Sequence, residues 1–81
     1  MILEVGKLYR TKKIMLFAKL ETPYFSTEKL PFRSVIMFLG TEEKEKIINY
    51  KFLYGKEILL KGNHRSNPDN FFITNNLSKV K

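Results

Sequence analysis

Ile47-Ile48-Asn49-Tyr50-Lys51-Phe52-Leu53-Tyr54-Gly55-Lys56-Glu57-Ile58-Leu59-Leu60-Lys61 is the stretch that decides the fold class. Ile48, Tyr50, Phe52 and Tyr54 fall on one face of an extended chain, with Ile47, Asn49, Lys51 and Leu53 on the other. That two-residue period is the signature of a β-strand. Gly55-Lys56 supplies a tight turn, because glycine takes the positive φ that two-residue hairpin loops require. Glu57 to Lys61 then reads as the returning strand. A lone hairpin is marginal in water, so further strands must cover it.

Working outwards, Ser34 to Leu39 is apolar on both faces and is predicted to be the most buried strand. Gly40 and Thr41-Glu42-Glu43-Lys44-Glu45-Lys46 read as a solvated hairpin loop joining it to Ile47. Upstream, strands are predicted at Lys7 to Thr11 and Lys13 to Leu20. In the second of these, Ile14, Leu16, Ala18 and Leu20 share one face and are assigned to the core. Lys13, Met15, Phe17 and Lys19 share the other, which is assigned to solvent or a partner. Glu21 to Phe32 reads as a long connection, with Pro23 and Pro31 barring ladder pairing at its two ends. Downstream, Gly62 to Asn70 is a polar loop and Phe71 to Thr74 an apolar, strand-like run. Asn75 to Ser78 reads as one helical turn, and Val80 as part of a last short strand. No stretch sustains a 3.6-residue period over ten positions, so the chain is mainly β and forms one domain over residues 1–81. The expected core is Leu8, Leu16, Val35, Met37, Tyr50, Phe52, Ile58, Leu60 and Leu77, with Phe38 and Phe72 beside them.

Val5-Gly6-Lys7-Leu8-Tyr9-Arg10 at the start and Asn76-Leu77-Ser78-Lys79-Val80 at the end carry a resemblance. Together with a long loop followed by strands joined through tight hairpins, they resemble the small five-stranded barrels called SH3-like. The resemblance implies a five-stranded barrel with at most one short helical turn. It does not extend to peptide recognition, because the chain has no Trp and no acidic cluster in the long loop. The abundance of Lys, Asn, Ile and Phe, with little Ala, also resembles short accessory proteins encoded by AT-rich bacteriophages.

Composition removes whole classes of chemistry. With no cysteine, a disulfide scaffold, a thiolate metal site and a cysteine nucleophile are all excluded. One histidine excludes a clustered imidazole site. Glu42, Glu43 and Glu45 sit among lysines and read as a solvated turn, and no Gly-rich phosphate loop is present. His64-Arg65 is the one pair with catalytic potential, in the manner of a metal-independent ribonuclease toxin. A single histidine without a second acid or base makes an exposed loop the simpler reading. No enzyme activity, metal or cofactor is expected. The longest uninterrupted apolar run, Val35 to Leu39, is far below the ~20 residues that span a bilayer. No basic leader precedes an apolar segment at the N-terminus, so a cytoplasmic location is expected, in the host cell if the protein is phage-encoded.

Fifteen Lys and Arg against eight Asp and Glu leave a net charge of +7, which points to a polyanionic partner. Lys7, Arg10, Lys12, Lys13 and Lys19 crowd the first twenty residues, and Lys51, Lys61 and Arg65 follow in the hairpin region. These residues are the candidate phosphate-binding set. Phe17, on the face shared with Lys13 and Lys19, is the candidate stacking platform for an unpaired base, with Tyr9, Met15 and Tyr24 nearby. Lacking a long helix to read a major groove, the chain is expected to bind RNA or single-stranded DNA ahead of a specific duplex site. Two alternatives stand beside this: an inhibitor or adaptor binding a host protein, and a small ribonuclease. Self-association into a homo-oligomer is left open.

Overall fold

The computed structural model describes residues 2–21, 24–64, 73 and 75–80. Seven strands run in chain order: β1 (Leu8–Thr11), β2 (Met15–Glu21), β3 (Tyr24–Leu30), β4 (Val35–Lys44), β5 (Ile47–Tyr54), β6 (Glu57–His64) and β7 (Leu77–Lys79). They form one antiparallel sheet in the order β3-β2-β6-β5-β4-β1-β7, curled into a half-barrel. No helix among the described residues is long and apolar enough to cross a membrane.

The β5–β6 hairpin matches its sequence pattern. Tyr54 pairs with Glu57 around a two-residue loop in which Gly55 has a φ of +62°. Elsewhere the ladder runs further than composition suggests. Residues Thr41 to Lys44 stay paired with Tyr50 to Ile47, so the hairpin loop expected over Gly40 to Lys46 shrinks to a turn at Glu45-Lys46. All four of these residues stay exposed on β4, so the ladder to β5 continues beyond the covered part of the sheet. β6 likewise continues through Gly62 and Asn63 to His64. The connection from Glu21 to Phe32 is itself a hairpin strand: β3 pairs with β2 from Met15–Leu30 to Glu21–Tyr24. Proline restricts its own position and the one before it, and the residues between Pro23 and Pro31 remain free to pair. Seven strands therefore replace the expected five. At the C-terminal end, Leu77 and Ser78 belong to β7 and follow a turn at Asn75-Asn76, in place of the expected helical turn. Phe71, Phe72 and Thr74 lie outside the described residues.

The interior is lined by Tyr9, Met15, Phe17, Leu30, Ile36, Phe38, Tyr50, Phe52, Leu59 and Leu77, with Leu3 and Ile73 closing it. Tyr50, Phe52, Phe38 and Leu77 are core as expected. Leu8, Leu16, Val35, Met37, Ile58 and Leu60 are not; they sit on the outer face, exposed or half-buried. On β1, β2 and β6 the faces are the reverse of the expected ones, and on β4, expected to be buried on both faces, only Ile36 and Phe38 turn fully inward. The reason is volume. Phe17 packs edge-on against Phe52 with centroids 5.7 Å apart, and Phe38 stands 5.5 Å from the same ring. A ring buries more apolar area than Leu or Ala, so the face carrying rings takes the interior even where the opposite face is uniformly aliphatic. The outer face keeps a row of aliphatics in register, Ile58, Leu53, Met37 and Leu8.

Candidate nucleic-acid interface

The alternation that sends Tyr9 and Thr11 inward along β1 sends Arg10 outward, opposite Val35 on β4 and Ser78 on β7. At the end of β1 the buried Thr11 hydroxyl donates to the Pro31 carbonyl (2.8 Å) and accepts from the Ser34 N–H (2.9 Å). The Ser34 hydroxyl donates to the same Pro31 carbonyl at 2.7 Å. The Thr11 carbonyl accepts from the Arg33 N–H (3.0 Å), and the Lys12 N–H donates to the Asn76 carbonyl (2.8 Å). Three segments are thus tied into one knot: the end of β1, the turn between β3 and β4, and the approach to β7. Each buried polar group in it has a partner, which makes the knot rigid.

From this knot Arg10, Lys12 and Arg33 project into solvent. Residues 10–14, 31–36 and 75–78, which build it, contain no Asp or Glu, and the ion pair of Lys79 with Glu4 lies beyond them. Among the described residues, none of these three cations makes an ion pair. Arg33 has a φ of +69°, a left-handed conformation at the third position of the Pro31–Ser34 turn. Its guanidinium carbon lies 5.3 Å from the centroid of the Phe32 ring, and Phe32 is 57% exposed. Neither residue is in the expected set: Phe32 ends the long connection read from Glu21, and Arg33 falls between it and the strand from Ser34. The signal was present as an aromatic beside a base in a turn opened by proline.

The other expected contacts are dispersed. Lys13 is exposed next to Lys12, and Lys7 is exposed in the turn before β1. Beside Lys7, Glu4 and Lys79 form an exposed ion pair that holds the Glu4 carboxyl below its ordinary range, through the hydrogen bond first and the charge second. Lys61 is half-buried; its ammonium donates to the Leu16 carbonyl at 2.6 Å and stands 5.7 Å from the centroid of the Phe17 ring. Burial, and then the charge of Lys13, push this amine below the usual lysine range. Lys19 is paired with Glu57 at 2.6 Å and Lys51 with Glu42 at 3.4 Å. These four, with Lys56, Ile58 and Leu60, line a cavity of about 470 Å³ in which the two signs of charge are interleaved. Arg10, Lys12 and Arg33 thus stand apart from Lys19 and Lys51, which are offset by carboxylates, and from Lys61, which is held by a carbonyl and a ring.

Phe17 requires correction. At 2% exposure its ring belongs to the core, and Tyr9 and Met15 are buried with it, so none of them offers a face to a base. Arg65, and the side chains of His64 and Tyr24, lie outside the described residues. No group of carboxylates and imidazoles able to hold a metal occurs among the described residues. Comparison of the chain with protein-family models, with curated proteins and with solved structures finds no match.

Proposed function

We propose that the protein is a small non-enzymatic module that grips the backbone of RNA or single-stranded DNA. The carrying observation is the acid-free knot from which Arg10, Lys12 and Arg33 project without carboxylate partners. Phosphate is the natural ligand for such a group. Guanidinium forks take two phosphate oxygens at once, and lysine adds a point charge that displaces condensed counterions. Because a hydrogen-bonded knot fixes the backbone beneath these side chains, little further order is needed on binding.

The finer fold reading we propose is the SH3-like barrel. Its support is connectivity: with β2 and β3 taken as the paired arms of the long connection, β1, β4, β5, β6 and β7 remain as five strands in the expected order. A second reading, an inhibitor or adaptor of a host protein, is favoured by the outer aliphatic row and by the cavity of mixed charge. Fluorescence anisotropy with labelled RNA, single-stranded DNA and duplex DNA at ~0.15 M salt, where the Debye length is ~8 Å, separates the two. The leading reading expects saturable binding to single strands, lost in the Arg10→Glu/Lys12→Glu variant, with the RNA recovered at full length. Absence of binding to any nucleic acid would transfer the case to the protein partner, and shortened RNA would point to the ribonuclease.

A further inference from the structure

We infer that Phe32 and Arg33 form a stacking site for one unpaired base beside the phosphate grip, which makes unpaired segments the preferred substrate over continuous duplex; this rests on the function proposed above. A single exposed apolar side chain calls for no explanation by itself. Three features distinguish this ring. It sits in the turn whose carbonyl at Pro31 accepts both the Thr11 and the Ser34 hydroxyls, so the backbone that carries the ring is held in place. Its neighbour Arg33 lays a guanidinium over it at 5.3 Å, which joins a flat π-face to a flat cation. And Arg33 itself occupies a left-handed backbone position that glycine would fill without strain.

The chemistry of the neighbourhood selects the ligand. Aromatic faces with adjacent guanidinium groups accept nucleobases of any sequence, because every base has a π-face. Arg10 and Lys12, exposed on either side of Thr11 and so tied to the same turn, are the cations available to the flanking phosphates. In a duplex the bases are stacked on each other and have no free face to offer unless one is flipped out. A stacking site therefore adds to single-strand affinity and leaves duplex affinity resting on phosphate contacts alone.

The test uses the full chain with three substitutions at one position. Phe32→Ala is expected to weaken binding to a single-stranded oligonucleotide about tenfold, the loss usual for one stacked base, while duplex binding and salt dependence stay as they were. Phe32→Tyr and Phe32→Trp should retain wild-type affinity. A thermal melt by circular dichroism confirms that each variant folds; a variant that does not is replaced by the wild type assayed on an oligonucleotide carrying abasic positions, with the same tenfold loss expected. If Phe32→Ala folds and binds single strands as tightly as the wild type, the stacking site is overturned and the phosphate grip survives. If the wild type binds no nucleic acid at any salt concentration, the grip falls, and the stacking site with it.

Discussion

Arg33 combines strain and charge in one residue, and the two can be separated. A left-handed conformation costs a residue with a Cβ about 1–2 kcal/mol, and glycine escapes that penalty. Arg33→Gly should therefore leave the melting temperature equal or higher while weakening nucleic-acid binding, opposite signs in one variant. Loss of both together would mean that the side chain supports the fold and has no separate role. The aromatic-base pair was there in the sequence, but the left-handed backbone was not, because the turn is held by hydrogen bonds between Thr11 and Pro31, Arg33 and Ser34, residues twenty or more positions away. Composition could show that bases were plentiful but not that Lys19 and Lys51 are offset by Glu57 and Glu42. Lys61 gives a second test at this scale. Burial penalises its charged form, so its amine should lose its proton at lower pH than an ordinary lysine amine, read by NMR titration or by rate of acylation. The sign for stability follows: the folded state resists the charge, so this group opposes folding at neutral pH. That opposition fades as pH rises through its folded value towards the ordinary 10.5.

At the scale of elements, period told strands from helices but could not choose between their faces. On β6, Ile58 and Leu60 alternate with Leu59, and all three are apolar. Leu59 is fully buried beside Phe52, its partner on β5, while Ile58 is 52% exposed. The choice is made by rings contributed from other strands, so no local window contains it. Stability measurements test the inversion directly. Leu59→Ala should cost about 2–5 kcal/mol, and Phe17→Ala about 3–5 kcal/mol, as full core truncations do. Ile58→Ala and Leu16→Ala should stay below ~1 kcal/mol, because their atoms leave water only in part. Denaturant midpoints in which Ile58→Ala equals Leu59→Ala would restore the opposite face assignment. The β5–β6 hairpin was legible in full because turn, alternation and strand length are all local there. The β2–β3 hairpin is equally local, but its two prolines read as breakers of the whole segment when they restrict only their own positions and the ones before them.

For the whole molecule, the question is whether +7 acts as a diffuse cloud or through a defined group. A diffuse cloud responds to total charge, so removing any one lysine should weaken binding by a similar amount. A defined group does not. Three to four phosphate contacts, from Arg10, Lys12, Arg33 and the adjacent Lys13, would release enough counterions to give a slope of log affinity on log salt of roughly −2 to −3 for single strands. Neutralising Arg10 should flatten that slope by about 0.7, the share of one contact. Neutralising Lys51 should leave it almost unchanged, since that charge already faces Glu42 at 3.4 Å and its removal frees a carboxylate at the cavity, away from the knot. Salt titrations of the wild type, Arg10→Ala and Lys51→Ala at matched protein concentration make the comparison. Equal flattening in both variants would show that net charge alone drives association, and that the acid-free knot has no privileged part in it.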